Sequence, residues 1–201
     1  RPWGPIPARV IIARDGAARN ATALNADLAA VEVLALSHGH LDHAGGTADL
    51  AILAARDIGP AGKVLVYDIN RAMIQAGLHK VAHKDIAPRI GYVQGNAEAI
   101  SFPDQRFDAA MVGFGIRNVT NMKIGFEEMF RVLKPGGRLI LTTPKRSAEW
   151  IIALYARDIE GEHEVYYTRD TIEALAGNRF QLSDARTFCL GLNQVFCLTK
   201  A

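Results

Sequence analysis

Short apolar blocks alternate along this chain with longer stretches whose apolar positions repeat at helical spacing. Val31-Glu-Val-Leu-Ala-Leu36 is the first strong block and reads as a strand buried on both faces. From Thr47 to Ile58, alanine, leucine and isoleucine recur at helical spacing until Gly59-Pro-Ala-Gly62 stops them. The same grammar continues with a strand Lys63 to Asp68, a helix Arg71 to Lys84, a strand Ile90 to Gln94 and a strand Phe107 to Phe114. An amphipathic helix follows over Asn121 to Leu133, then a tight turn at Lys134-Pro-Gly-Gly137 and an apolar strand Arg138 to Thr143. Upstream, Ala8 to Ala13 reads as a short strand, and Ala17 to Ala30 as helix or loop interrupted by Asn20, Asn25 and Asp27.

Strands that alternate with helices require crossovers, and crossovers return the chain to the same edge of a parallel sheet covered on both faces. The tail departs from this pattern. Ser147 to Arg157 and Thr168 to Ala176 read as helices, but Phe180 to Phe188 and Gln194 to Thr199 are strands joined by Gly191-Leu-Asn193, too short a link for anything but an antiparallel hairpin. The predicted fold is α/β, with a three-layer, mostly parallel Rossmann-like sheet ending in that hairpin.

Composition narrows the function. The 201 residues suffice for one sizeable core, and 49% hydrophobic with 22% charged residues is ordinary for a globular domain. A formal net charge of +2 gives no electrostatic reason to expect nucleic acid as a partner, and charges break every apolar run before it could span a bilayer. The start, Arg1-Pro-Trp-Gly-Pro-Ile-Pro7, has no signal-peptide core, so a cytoplasmic location is expected; it opens on Arg and not Met, as a piece of a longer chain would. Cys189 and Cys197 sit among apolar residues and read as reduced, buried side chains.

Candidate chemistry gathers at the ends of the first three central strands. Gly45 and Gly46, between a strand and a helix, let backbone approach a ligand and aim helix N-terminal N–H groups at it. Asp68, ending the next strand, could accept hydrogen bonds from both hydroxyls of a ribose, or else cap the helix that begins near Arg71. In the third loop, Gly95-Asn-Ala-Glu-Ala-Ile-Ser-Phe-Pro-Asp104, Asn96 and the Ala97 N–H could read an adenine edge, or Asn96 could cap a turn.

Five ordered segments, Asp42-His-Ala-Gly-Gly-Thr-Ala-Asp49, Tyr67-Asp-Ile-Asn70, Gly95 to Asp104, Gly113-Phe-Gly-Ile-Arg-Asn-Val-Thr120 and Arg131-Val-Leu-Lys-Pro-Gly-Gly-Arg-Leu139, resemble the successive motifs of class I S-adenosylmethionine-dependent methyltransferases. Within that class the string Phe-Gly-Ile-Arg-Asn-Val is similar to the ubiquinone/menaquinone-biosynthesis C-methyltransferases. The resemblance implies a seven-stranded sheet, S-adenosyl-L-methionine as cofactor and a small, aromatic or quinone-like acceptor. It implies that Asp42, Ala44, Gly45, Gly46 and Thr47 meet the methionine part of the cofactor and that Asp68 holds the ribose. Ile69 and Met73 would flank adenine, Asn96 and Ala97 would meet its amino edge, and Gly113 and Phe114 would border the methyl-transfer side. Ala48 stands where a glycine is usual, and Asn96 where an aspartate is usual. A carbon acceptor must also lose a proton, for which His163 is a candidate, although it also fits an exposed loop; Arg117 and Asn118, just beyond Phe114, are further candidates on the substrate side.

Ser37-His-Gly-His-Leu-Asp-His43 is similar to the metal-binding signature of the metallo-β-lactamase fold, with His38, His40, Asp42 and His43 as candidate zinc or iron ligands. The expected division is an N-terminal segment 1–41 of that kind joined to a methyltransferase domain 42–201, together one compact unit. A metal-dependent hydrolase is therefore the alternative function, and a methyltransferase fold without turnover a third. For the first central strand, the apolar stretch Val31 to Ser37 is preferred over His38 to Asp42. His79 and His83, four residues apart, read as a solvated helix face.

Overall fold

A computed structural model of the chain describes residues 32–36, 46–58, 60–113, 119–145, 166–188 and 191–201. The strands expected at Ala8 to Ala13, the segment Ala17 to Ala30, the helix Ser147 to Arg157 and Cys189 lie outside these residues.

Seven strands form one sheet. They are β1 (Glu32–Leu36), β2 (Lys63–Asp68), β3 (Ile90–Gln94), β4 (Phe107–Gly113), β5 (Leu133–Pro144), β6 (Phe180–Phe188) and β7 (Asn193–Lys200), in the order β3-β2-β1-β4-β5-β7-β6. The first five pair in parallel, while β7 inserts antiparallel between β5 and β6. This is the mixed, hairpin-terminated sheet expected. Among the described residues four helices cover it: α1 (Gly46–Asp57), α2 (Arg71–Val81), α3 (Met122–Val132) and α4 (Arg169–Ala176).

The sheet is buried on both sides because successive residues of a strand point to opposite faces. Val64 and Val66 of β2 and Met111 of β4 pack with Leu50, Ala51, Ala54 and Ala55 of α1 and Val81 of α2. Tyr67, Ala110 and Val112 face the other way, into a core with Phe126, Met129 and Val132 of α3 and Ile172 and Ala176 of α4. Apolar strands with few alternating polar residues are therefore what two covered faces require.

The preferred first strand is the one observed. β1 lies mid-sheet, with Leu36 beside Tyr67 of β2 on one side and Val112 of β4 on the other. Strand order reverses direction there, between β1 and β4, which opens a crevice at the carboxyl edge of the sheet.

Two boundaries differ from the sequence reading. Helix α2 ends at Val81, three residues early, because turns closed by Lys84 N–H to the Val81 carbonyl and Ala87 N–H to the Lys84 carbonyl bring Ile86 into the core. Strand β5 begins at Leu133, so Lys134-Pro-Gly-Gly137 is an outward kink inside a strand and not a turn ahead of one. Leu133 pairs with Phe107, and the register resumes with Arg138 against Ala109. Gly136 takes φ of +73°, and a Cβ on Gly137 would sit 2.7 Å from the Lys134 carbonyl oxygen, so both glycines are demanded by the kink. Lys134 Nζ closes it, 2.9 and 3.0 Å from the two oxygens of Asp108.

Candidate functional site

Asp68 is the last residue of β2, and strand alternation puts it on the face of Val64 and Val66, the face α1 covers. Its side chain is only 2% exposed. Oδ1 accepts the Asn70 N–H at 2.7 Å, while Oδ2 is buried with no hydrogen-bond partner among the described residues. The capping alternative fails: Asn70 is the residue that caps α2, accepting from Ala72 N–H at 2.9 Å. A buried carboxylate oxygen with nothing to accept is costly, so a donor from outside the chain is its natural complement.

Gly113 ends β4 on the same face and the same edge, two residues after Met111. A Cβ there would meet Leu50 Cδ2 at 3.5 Å and Thr142 Oγ1 at 4.0 Å, ordinary contacts, so protein packing does not explain the glycine. Ile69, beside Asp68, is 62% exposed, whereas Met73 is buried within α2 at 5%. An exposed isoleucine next to an orphaned carboxylate provides an apolar surface on which a planar base could lie.

The third loop is brought to this edge by β3, whose Gln94 pairs with Asp68, and by the Gly95 N–H, which donates to the Asp68 carbonyl at 2.9 Å. Asn96 Oδ1 accepts from Glu98 N–H at 2.9 Å, so the side chain caps a turn. That commits one of its acceptor positions; the Ala97 N–H makes no hydrogen bond among the described residues. Helix α1 starts at Gly46, with Thr47 next, as the turn reading expects. Asp42, Ala44, Gly45 and Phe114 lie outside the described residues, as do Arg117, Asn118 and His163, and His38, His40 and His43. Among the described residues no three His, Cys, Asp or Glu side chains come close enough to hold a metal. His79 and His83 are both exposed, but α2 ends at Val81, so His83 lies beyond the helix and the two do not share a helix face; Cys197 is a buried free thiol whose pKa burial raises. No described helix is long and apolar enough to cross a membrane.

Four residues that matter here were not singled out from the sequence. Tyr67 precedes Asp68 and so points to the opposite face, where its hydroxyl lies 3.2 Å from both Ser101 N and Ser101 Oγ. Gly95 makes room for that ring: a Cβ would stand 2.0 Å from the Tyr67 hydroxyl oxygen. From α3, Glu128 and Arg131 reach the loop's far half. Glu128 Oε2 accepts Ile100 N–H at 2.7 Å, and Arg131 donates to the carbonyls of Ile100 (2.6 Å) and Phe102 (2.8 Å) and to Asp104 Oδ1 (2.8 Å). The Arg131 guanidinium also grips both Glu128 oxygens, which holds that carboxyl below the ordinary glutamate value and the guanidinium above its own. A Glu three residues before an Arg on the helix preceding Leu-Lys-Pro-Gly-Gly was the available signal, legible only as a helix-surface pair.

Near the end of β5, Thr142 and Thr143 are buried. Gln194 Nε2 bonds Thr143 Oγ1 at 3.0 Å and also the Tyr167 carbonyl, while Lys145 N–H bonds the Leu192 carbonyl at 2.8 Å. The chain thus leaves β5 and returns before α4 at points fastened to the β6–β7 hairpin. An apolar groove between Leu78, Val81, Ala87 and Ile90 lies at the opposite end of β3 and α2.

Solved structures share this fold. A SAM-dependent methyltransferase from Aquifex aeolicus superposes with a TM-score of 0.67 at 17% identity, over 85% of this chain and 82% of that one. The [4+2]-cyclase SpnF also gives 0.67, at 15% identity over 85% and 74%, so this architecture does not itself fix a reaction. Sequence relatives are nearer. The ubiquinone/menaquinone biosynthesis C-methyltransferase UbiE of Pasteurella multocida is 46% identical over 104 residues, 52% of this chain and 39% of that protein. Its counterpart from Pectobacterium carotovorum is 48% identical over 101 residues, 50% and 40%. The matched stretch thus spans about two fifths of these curated relatives. The profile of the ubiE/COQ5 methyltransferase family matches residues 26–156, nearly two thirds of the sequence and all of β1 to β5, and this chain belongs to that family.

Proposed function

We propose that this chain binds S-adenosyl-L-methionine at the carboxyl edge of β1, β2 and β4 and serves methyl transfer to the carbon of a small, quinone-like aromatic acceptor. The observation that carries the reading is the unpartnered, buried Oδ2 of Asp68 at the crevice where strand order reverses. A ribose presents two adjacent hydroxyl donors, and a carboxylate with one oxygen held by Asn70 N–H and the other unused is suited to them. The family to which the chain belongs supports the cofactor class, and its relatives, the ubiquinone/menaquinone biosynthesis C-methyltransferases, support the acceptor class.

The bound cofactor would bring a methyl group already activated by a sulfonium. What the protein contributes is placement and exclusion of water. Asp68 orients the nucleoside, Ile69 offers an apolar face to the base, Ala97 N–H is directed to its edge, and the small Gly113 leaves room on the methyl-transfer side. Asp42, Ala44, Gly45, Gly46 and Thr47 are proposed to receive the methionine part. Arg117, Asn118 and His163 are the candidates for the acceptor side, where a carbon nucleophile has to shed a proton.

Titration calorimetry with S-adenosylhomocysteine tests the binding half. Saturable heat with a 1:1 end point is expected, and neither heat nor a thermal shift at millimolar ligand would remove the reading.

A further inference from the structure

The link between β3 and β4 runs for twelve residues, 95–106, without secondary structure of its own beyond tight turns. Its near half carries Asn96 and Ala97, held among the described residues by the Asn96–Glu98 turn, by Ala99 N–H to the Asn96 carbonyl at 3.0 Å and by Glu98 Oε1, which accepts Asn121 N–H at 3.1 Å. Its far half is gripped much harder. Glu128 and Arg131 together make four hydrogen bonds to residues 100–104, and the Arg131 and Val132 carbonyls take the N–H groups of Gln105 and Arg106 at 2.9 and 2.8 Å. Ile100, satisfied on both its N–H and its carbonyl by this pair, is 3% exposed.

Helix α3 does not need these contacts to stay in place. Phe126, Met129 and Val132 anchor it to the sheet, each at most 1% exposed. What the Glu128–Arg131 pair adds is therefore the position of the loop, and the loop starts at Gly95, whose N–H is bonded to Asp68.

We propose that Glu128 and Arg131 are positioning residues for nucleoside recognition, acting through residues 100–104 to fix Asn96 and Ala97 relative to Asp68. This rests on the cofactor reading above. A planar guanidinium satisfying two carbonyls, an aspartate and a glutamate at once defines a single loop geometry, which a lysine's point charge cannot reproduce. The pair bonds residues 100–104 and is placed to act on the nucleoside through the loop. Its influence should show in how well the site tells one purine from another.

The test compares S-adenosylhomocysteine with S-inosylhomocysteine, which differ at the purine 6-position, on the full chain and on R131A, R131K, E128Q and R179A. Arg179 pairs with Glu127 at 2.9 Å on the same helix without touching the loop, and so controls for loss of an ion pair. The unaltered chain is expected to prefer the adenosyl ligand. R131A and R131K should lower adenosyl affinity and the preference by about tenfold, the cost of misaligned base contacts, with E128Q intermediate because its amide oxygen still accepts Ile100 N–H. R179A should change neither. R131K and E128Q carry the test if R131A fails to fold. Preserved preference in folded variants, equal weakening of both ligands, or no preference in the unaltered chain would each overturn the assignment. Failure of the unaltered chain to bind S-adenosylhomocysteine at all would instead strike the cofactor reading.

Discussion

Asp68, Gly95 and Gly113 lie within reach of one edge of the sheet and differ in what constrains them. Asp68 keeps a buried carboxylate oxygen without a partner, a cost to the free protein that a ligand can relieve. Asp68→Ala should therefore weaken S-adenosylhomocysteine by about tenfold or more, since hydrogen bonds to a charged group are worth about 1.5–3 kcal/mol, while the ligand-free melting temperature holds or rises. Calorimetry and a thermal melt on the same sample check both halves. The two glycines separate packing from function. Gly95→Ala forces a methyl onto the Tyr67 hydroxyl and should cost about 1–3 kcal/mol in a urea titration, the range for overpacking a filled site. Gly113→Ala meets only ordinary contacts, so its stability change should stay under about 1 kcal/mol while cofactor affinity drops. Equal stability losses in the two variants would contradict this distinction.

Helix α3 shows how one element serves two masters. Its apolar stripe packs on the sheet, and its opposite edge holds the third loop. Asn121 caps its first turn, accepting Ile124 N–H at 3.3 Å, while its own N–H reaches Glu98 in the loop. Asn121→Ala should cost about 1 kcal/mol of stability, the usual worth of a cap, read from the denaturation midpoint. Glu128 predicts a pH dependence. The Arg131 hydrogen bonds hold its folded pKa below the ordinary 4.5, so its contribution is fully present above that value and fades as pH falls through the lower folded one. The stability gap between the unaltered chain and E128Q should consequently be constant near neutral pH and narrow below 4.5. A gap that widens on acidification would reverse the sign argued here. The β5 kink belongs to this scale too: Pro and two glycines were legible as a bend, but that the strand resumes its pairing with β4 on the far side was not, because register depends on the neighbour.

At the scale of the sheet, β7 is fastened to a helix distant in sequence. Lys200, in β7 and 8% exposed, donates to the carbonyls of Phe130 and Leu133, both at 2.7 Å, and sits 4.1 Å over the Phe130 ring. It thus ties the C-terminal hairpin to the end of α3, seventy residues earlier in the chain. Lys200→Met keeps the stem's packing but leaves those carbonyls unpaired, and should lower the unfolding free energy by about 1–3 kcal/mol without changing cofactor affinity. A change in affinity would mean that the hairpin communicates with the nucleoside edge.

The chain by itself determined which stretches become strand or helix, because apolar spacing at two or 3.6 residues can be satisfied only by an element with one or two buried faces. It determined that the sheet is mostly parallel, because helices stand between the strands, and that it ends in a hairpin, because three residues cannot cross over. It also picked out Asp68 through its place at a strand's end. Tertiary structure alone decided that Asp68 has an oxygen to spare while Asn70 does the capping, that Tyr67 on the opposite face ties down the third loop, and that Glu128 and Arg131 hold that loop and not merely each other. The loop contacts made by Tyr67, Glu128 and Arg131 join residues 28 to 34 positions apart, and local pattern carries no information about which distant backbone group a side chain will find until packing has brought the two together.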